Sequence, residues 1–304
     1  MKISTFIYIG LNLILFNLIK LESEALNHVI YAVCILGILS LGIAHGAIDN
    51  ILYGARPGRN NTLFILKYLT IIALFAVAYL LVPNITFLLF FVVSAYHFGQ
   101  SQFVDFNIPS KWLAKSLYLS WGLVVLLMGV ALNKAELAPF NNEYFAEMAS
   151  FSILIDHAYT FLVVSSAIFL ITLVFAFSKS FLTTHELVRE LYILALMALS
   201  FSVLPTLVAF SLYFVLLHSL KVISQEYEYC KRAFHMNSIM KFIKLFLPLT
   251  LASLAGMVVI IGALVFFNYS ELIPFALLIM LSCITIPHSL VMEKFYGVKH
   301  AHST

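Results

Sequence analysis

The sequence predicts an all-α fold: a polytopic integral membrane helix bundle of about ten transmembrane helices, with N- and C-termini cytoplasmic. Three observations lead there. The 304 residues are 62% hydrophobic and only 10% charged, whereas soluble domains run at roughly 25% charged. Apolar runs recur from end to end, each long enough to cross a hydrocarbon core of about 30 Å. Basic residues gather in alternate loops, as a membrane topology requires. No loop is long enough to fold by itself, so residues 1–304 are expected to form a single transmembrane domain.

Taken in order, the expected spans are 3–20, 28–53, 63–82, 84–106, 112–132, 152–178, 187–203, 205–228, 242–267 and 271–293. Met1-Lys2 and the apolar run after them resemble a signal peptide. No small-residue cleavage site precedes Glu22 and Glu24, so the run is expected to stay as the first helix. Pro83 and Pro205 mark tight breaks, because proline cannot continue a helix through its ring nitrogen. Polar stretches at Arg56-Pro57-Gly58-Arg59-Asn60-Asn61 and Asn141-Asn142-Glu143 punctuate the other connections.

Charge tests this layout. With a cytoplasmic N-terminus, Lys20 and Lys134 fall outside. Arg56, Arg59, Lys111, Lys115, Lys179, Lys231, Arg232, Lys241, Lys244, Lys294 and Lys299 fall inside. About fifteen of the 17 basic residues take the inner side. The outer loops at Pro83, at Leu204-Pro205 and at Asn268-Tyr269-Ser270 carry none. An error of one span would scramble the pattern. The net charge of +3 reflects this topology and gives no sign of nucleic-acid binding. Cys34, Cys230 and Cys283 have no paired spacing and read as small core residues.

Histidines carry the functional signal. His28, His157, His185, His235, His300 and His302 lie at span ends or in loops and read as solvated. His45, His97, His218 and His288 fall inside spans two, four, eight and ten. Those four helices run in one direction, and each histidine lies about 20–26 Å along its helix at 1.5 Å per residue. All four therefore reach one layer in the cytoplasmic half of the bilayer. Ionisable groups at that depth are costly and face the bundle interior. Neutral imidazole is a common ligand of Fe, Cu and Zn. Four protonated rings would repel one another, whereas a divalent metal lets all four stay neutral. A metal site formed by His45, His97, His218 and His288 is the expectation.

Asp49 follows His45 by one helical turn, either as an acceptor for its second ring N–H or as a helix-end charge. Gly46 and Gly99 either allow close approach or are tolerated membrane glycines. Pro287 frees the carbonyl of Cys283 and kinks span ten, with or without consequence for His288. Glu226 and Glu293 read as interfacial charges, and Lys221 as a snorkelling base. Tyr96, Phe98, Tyr213 and Phe214 flank the histidines, either as packing or as the wall of a tunnel for a long apolar substrate.

Four segments, His45-Gly46-Ala47-Ile48-Asp49, Tyr96-His97-Phe98-Gly99, Leu217-His218-Ser219-Leu220-Lys221 and Pro287-His288, resemble the signatures of the Brp/Blh carotenoid-cleaving membrane enzymes. They come in the family's order over most of the chain. The resemblance implies a dioxygenase using Fe(2+) and O2. It would cut β-carotene at its central double bond to give retinal, in the inner (cytoplasmic) membrane and with a microbial rhodopsin as consumer. It implies His45, His97 and His218 as iron ligands, with no catalytic side chain beyond the metal site. Two positions depart from the pattern. Val222 stands where the third motif carries a second histidine, and Gln102 where an acid follows the second motif. His288 then either completes the set or leaves a three-histidine site with open positions. A lipid-soluble substrate would meet such a site inside the bilayer, where the protein positions one double bond and excludes water.

Two alternatives differ in class. A di-iron lipid oxygenase needs about eight histidines in closely spaced pairs, which the spans lack. A transporter, or a metal-binding membrane protein without catalysis, predicts broken helices, carboxylates along a pathway or an internal repeat. Asp49 alone lies deep enough for the second, and no repeat is visible.

Overall fold

The computed structural model describes residues 3–54, 62–143 and 148–301, the side chains of 141–143 and 298–301 excepted. Met1-Lys2, the Arg56–Asn61 connection and His302 lie outside the described residues. So do the side chains of Asn141, Asn142, Glu143, Lys299 and His300.

The described chain is helical and contains no strand. Its helices are α1 (Ile3–Ile19), α2 (Glu24–Gly37), α3 (Asp49–Leu52), α4 (Thr62–Leu81), α5 (Pro83–Phe103), α6 (Lys111–Leu132) and α7 (Lys134–Glu143). They continue with α8 (Ala149–Asp156), α9 (Ala158–Ser178), α10 (Thr184–Val203), α11 (Thr206–Leu212), α12 (Leu220–Phe234), α13 (Ile239–Phe266) and α14 (Ile273–Ala301). Among the described residues, seven helical segments are long and apolar enough to cross a membrane. The chain is a polytopic helical membrane protein.

Three expected spans are helical but fall short of that measure. α1 has 17 residues. α5 carries Ser94, His97, Gln100, Ser101 and Gln102 in its second half, and α10 opens with Glu186, Arg189 and Glu190. The expected span 152–178 divides at His157 into α8 and α9.

The chain forms two compact units. The first comprises Met1–Ile38 and Phe91–His218. Its core is aromatic and aliphatic, with Trp121, Phe103, Leu117, Phe169, Leu173 and Phe201 almost fully buried. Gly99 of α5 lies against the backbone of Tyr118, and Gly122 of α6 against the backbone of Ala95. With no Cβ at either crossing point, the two helices touch backbone to backbone. Local chemistry sets several ends. Thr183 and Glu186 close a reciprocal capping box at the start of α10. Glu136 Oε2 accepts from the Thr206 backbone N–H at 2.8 Å and so caps α11.

A buried polar network in this unit joins α5 to α10. Gln102 Nε2 donates to Glu190 Oε2 at 2.6 Å, and Arg189 Nη2 pairs with Glu190 Oε1 at 3.0 Å. Gln102, the position of the departure, thus meets a buried acid from α10.

The second unit comprises Leu39–Phe90 and Ser219–Thr304. Here α14 packs along α4, and the Tyr79 hydroxyl lies 2.9 Å from Ser282 Oγ. Lys294 Nζ donates to the Tyr53 carbonyl at 3.2 Å and sits 3.7 Å from that ring's centre, a cation–π contact. Along α12 the buried positions are Val222, Glu226 and Cys230, a four-residue repeat that defines its inner stripe. Glu226 is only 1% exposed, so the expectation of an interfacial charge is wrong there; its place on the Val222–Cys230 stripe carries it inward. Glu293 is exposed, as expected. Cys34, Cys230 and Cys283 are buried free thiols.

Candidate metal centre

The backbone departs from regular α-helix at two of the four motifs. After α2 the chain makes a π-helical stretch, Ile38–Gly42, and then a turn at residues 45–48. Short i to i−3 bonds hold that turn: Gly46 N to Ile43 O and Ala47 N to Ala44 O, both 3.1 Å, and Asp49 N to Gly46 O, 3.3 Å. The expected unbroken span 28–53 therefore ends before His45, which sits in the turn. The second departure is the π-helical stretch Tyr213–Ser219, which contains His218. Such wide turns recur at functional sites because they re-aim side chains that a regular helix would carry elsewhere.

In the second unit, His45 and His288 stand edge to face, ring centres 4.7 Å apart. They are 6% and 3% exposed. Asp49 Oδ1 and Oδ2 lie 2.9 and 3.1 Å from His288 Nδ1, and the Tyr68 hydroxyl donates to Asp49 Oδ2 at 3.0 Å. The sequence reading offered Asp49 as the acceptor for His45; the carboxylate instead meets His288, because the turn at residues 45–48 takes Asp49 off the face of His45. Gly46 allows this. A Cβ there would stand 3.3 Å from His288 Nδ1 and 3.8 Å from Asp49 Oδ2. Pro287 lies inside α14 immediately before His288.

In the first unit, His97 and His218 make the second edge-to-face pair, with ring centres 5.1 Å apart. They are 1% and 2% exposed. Ser101 Oγ lies 3.0 Å from His218 Nδ1 and also 2.8 Å from the Phe98 carbonyl. A hydroxyl has one proton. Ser101 gives it to the Phe98 carbonyl, so its oxygen accepts from His218 Nδ1–H. The Asp49 carboxylate likewise accepts from His288 Nδ1–H. Both contacts select one tautomer, with the lone pair on Nε2.

Aromatic rings enclose His218. Phe214 stacks on it at 5.5 Å and 15°, and Phe98 meets it edge-on at 4.7 Å. Tyr213 contacts Phe98 at 5.7 Å. Tyr96 is half-buried and turns to Tyr118 at 5.7 Å. Of the four flanking aromatics, Phe98 and Phe214 touch a site histidine, Tyr213 stands one ring behind, and Tyr96 meets Tyr118. Val222 is fully buried on α12. His28, His157, His185 and His235 are exposed, as expected of solvated residues.

The donor set suits a borderline metal such as iron. Each unit offers two buried imidazoles, and one of each pair is oriented through Nδ1 so that Nε2 would be the ligand atom. Ser101 and Tyr68 were not singled out from sequence. Ser101 had a readable signal, since it stands one turn after His97 in an apolar helix. Tyr68 had none, because its partner Asp49 is 19 residues away.

Residues 36–296 match the family model described as Beta-carotene 15,15'-dioxygenase. No curated protein and no solved structure matches the chain.

Proposed function

Because the chain belongs to the beta-carotene 15,15'-dioxygenase family, we propose that it cleaves β-carotene oxidatively at the central double bond, with iron held by His45, His97, His218 and His288. The supporting observation is the pair of matched histidine couples, each with one ring oriented through Nδ1 by a hydrogen-bonded oxygen. Bound Fe(2+) would supply the redox chemistry that lets triplet O2 react with a polyene. In the overall reaction the central C=C bond breaks and each carbon receives one oxygen atom of a single O2. Two retinal molecules form, and no reductant or proton donor is consumed.

The chain's own residues do the positioning. Asp49 and Ser101 hold their imidazoles in the ligating tautomer, and Tyr68 holds Asp49. Phe98 and Phe214 fix the plane of the His218 ring and present apolar faces suited to a conjugated chain. Water is excluded by burial of the histidines. The substrate partitions into lipid, so a site among membrane helices meets it where it dissolves. We place the protein in the cytoplasmic membrane, with retinal passing to a consumer such as a microbial rhodopsin.

The test is expression in a bacterium that accumulates β-carotene, with pigment extraction and metal analysis of the purified protein. Retinal should appear as the orange colour fades, with iron bound at one per chain. Replacing any of the four histidines by alanine should abolish retinal. Persistent colour without retinal, beside a working relative expressed in parallel, would refute the proposal. Full activity from iron-free protein would do the same.

A further inference from the structure

The inner face of α12 carries polar groups that the histidine couples do not use. Ser219, Val222, Glu226 and Cys230 fall on one stripe at helical spacing, and each is at most 1% exposed. Ser219 opens the stripe and follows His218 directly in the chain. Its hydroxyl and Glu226 Oε1 are buried without a hydrogen-bond partner among the described residues. Cys230 closes the stripe as a free thiol. From Ser219 to Cys230 the stripe runs about 16 Å at 1.5 Å per residue.

Two contacts locate it within the second unit. The Tyr296 hydroxyl of α14 donates to Gln225 Oε1 at 2.8 Å, and the Tyr229 ring meets Phe295 edge-on at 5.2 Å. α12 and α14 therefore lie side by side here, with Glu226 near the level of Tyr296. His288 stands two turns earlier on α14, about 12 Å deeper. Asp49, which orients His288, acts on Glu226 through space, and Glu226 acts on Cys230. Lys231 and Arg232 follow Cys230 and are exposed. The positive-inside rule makes this the cytoplasmic end of α12.

A carboxyl oxygen with no partner in an apolar bundle is costly, and ionisable groups at membrane depth mark paths for ions or protons. Protonation lowers the cost but supplies no partner. The reaction above consumes no proton, so a proton path has no use in it. Hydroxyl, carboxylate and thiol are instead all groups that bind divalent iron. Glu226 and Cys230 are about 6 Å apart along the helix axis, and Ser219 and Glu226 about 10 Å. That spacing suits successive stations for a moving ion, not one resident site. We infer that Cys230, Glu226 and Ser219 form the passage by which Fe(2+) reaches His288 from the cytoplasm, with Glu226 as its central station. This rests on the iron-binding reading above and adds how the metal arrives. The helices are packed, so the passage opens only by local motion of α12 against α14.

The experiment uses the full chain, purified in detergent and stripped of metal with a chelator. Fe(2+) is added without oxygen, and iron retained by the protein is measured after rapid desalting at timed intervals. Release is followed separately, as the coloured complex formed with excess ferrous chelator. A residue that only forms the passage changes both rates by the same factor and leaves the affinity alone. Glu226→Gln, which keeps the shape, should slow uptake and release alike by about tenfold, the scale of a charge that draws ions into a site. Cys230→Ser should slow both in the same direction by less. Thermal midpoints of the two variants verify that they are folded. Unchanged rates in folded Glu226→Gln would overturn the inference. So would a loss of affinity with uptake unchanged, which would make Glu226 a support of the centre itself. Two irons per chain in the unmodified protein, falling to one in Glu226→Gln, would show a second resident site and also overturn it. An unmodified protein that takes up no iron would overturn the iron-binding reading as well.

Discussion

Asp49 Oδ1 lies 2.9 Å from Nδ1 of His288, although 239 residues separate them in the chain. A carboxylate against Nδ1–H fixes the ring's tautomer and orientation, and raises the donor strength of Nε2. Asp49→Asn keeps the shape but can present an N–H to Nδ1, favouring the opposite tautomer. Iron affinity, measured by competition with a chelator, should fall about 10–100-fold while helical circular dichroism is unchanged. Tyr68→Phe should give a smaller loss in the same direction. An unchanged affinity in Asp49→Asn would remove the orienting role.

Ser101 performs the matching task for His218 with a neutral oxygen, so its removal should cost less. A net hydrogen bond of about 1 kcal/mol corresponds to roughly a fivefold drop in iron affinity for Ser101→Ala. Ser101→Thr keeps the hydroxyl and should restore most of it. A threonine variant as weak as the alanine variant would argue that packing, not the hydroxyl, matters at this position.

The contact of α5 with α6 makes a sharper stability prediction. A methyl at Gly99 would overlap the Tyr118 backbone, and one at Gly122 the Ala95 backbone, neither of which is a flexible side-chain end. Gly99→Ala should therefore destabilise by about 3 kcal/mol or more, seen as a lower midpoint or loss of monodisperse protein in a thermal gel-filtration assay. Gly256, in the interior of α13, has open space around it. Gly256→Ala should be neutral or stabilising by up to about 1 kcal/mol. Equal behaviour of the two variants would mean that α5 and α6 do not meet as described.

The Gln102–Glu190–Arg189 network gives a second stability test. Glu190 is fully buried, whereas Arg189 is 39% exposed. Removing the base leaves a buried carboxylate with one amide donor. Arg189→Ala should lower stability by about 1–3 kcal/mol, discounted from a fully buried pair because solvent reaches the guanidinium. Glu190→Gln removes the buried charge together with its partner's role and should cost less. The thermal midpoints of the two variants give the comparison.

Much of this architecture is legible in sequence because the bilayer imposes a coarse rule. Every span must be apolar, helical and about 20 residues long. The helices α4, α6 and α13 follow their expected boundaries closely for that reason. Helices that carry function break the rule. α5 is apolar in its first half and polar in its second, and span two ends in a turn at His45. Polar and π-helical segments answer to partners far away in the chain, which hydropathy does not register.

The burial of His45, His97, His218 and His288 was legible in sequence, since an ionisable group at membrane depth is costly against lipid and turns to the bundle interior. Which histidine stands beside which, and which oxygen orients each, was decided by tertiary structure. Asp49 is four residues from His45 yet serves His288, because the turn at Gly46 lets α14 approach where a helix would have kept it out. Helical periodicity specifies the direction of a side chain only while the helix continues. At residues 45–48 it stops, and the partner is then set by close packing against another part of the chain.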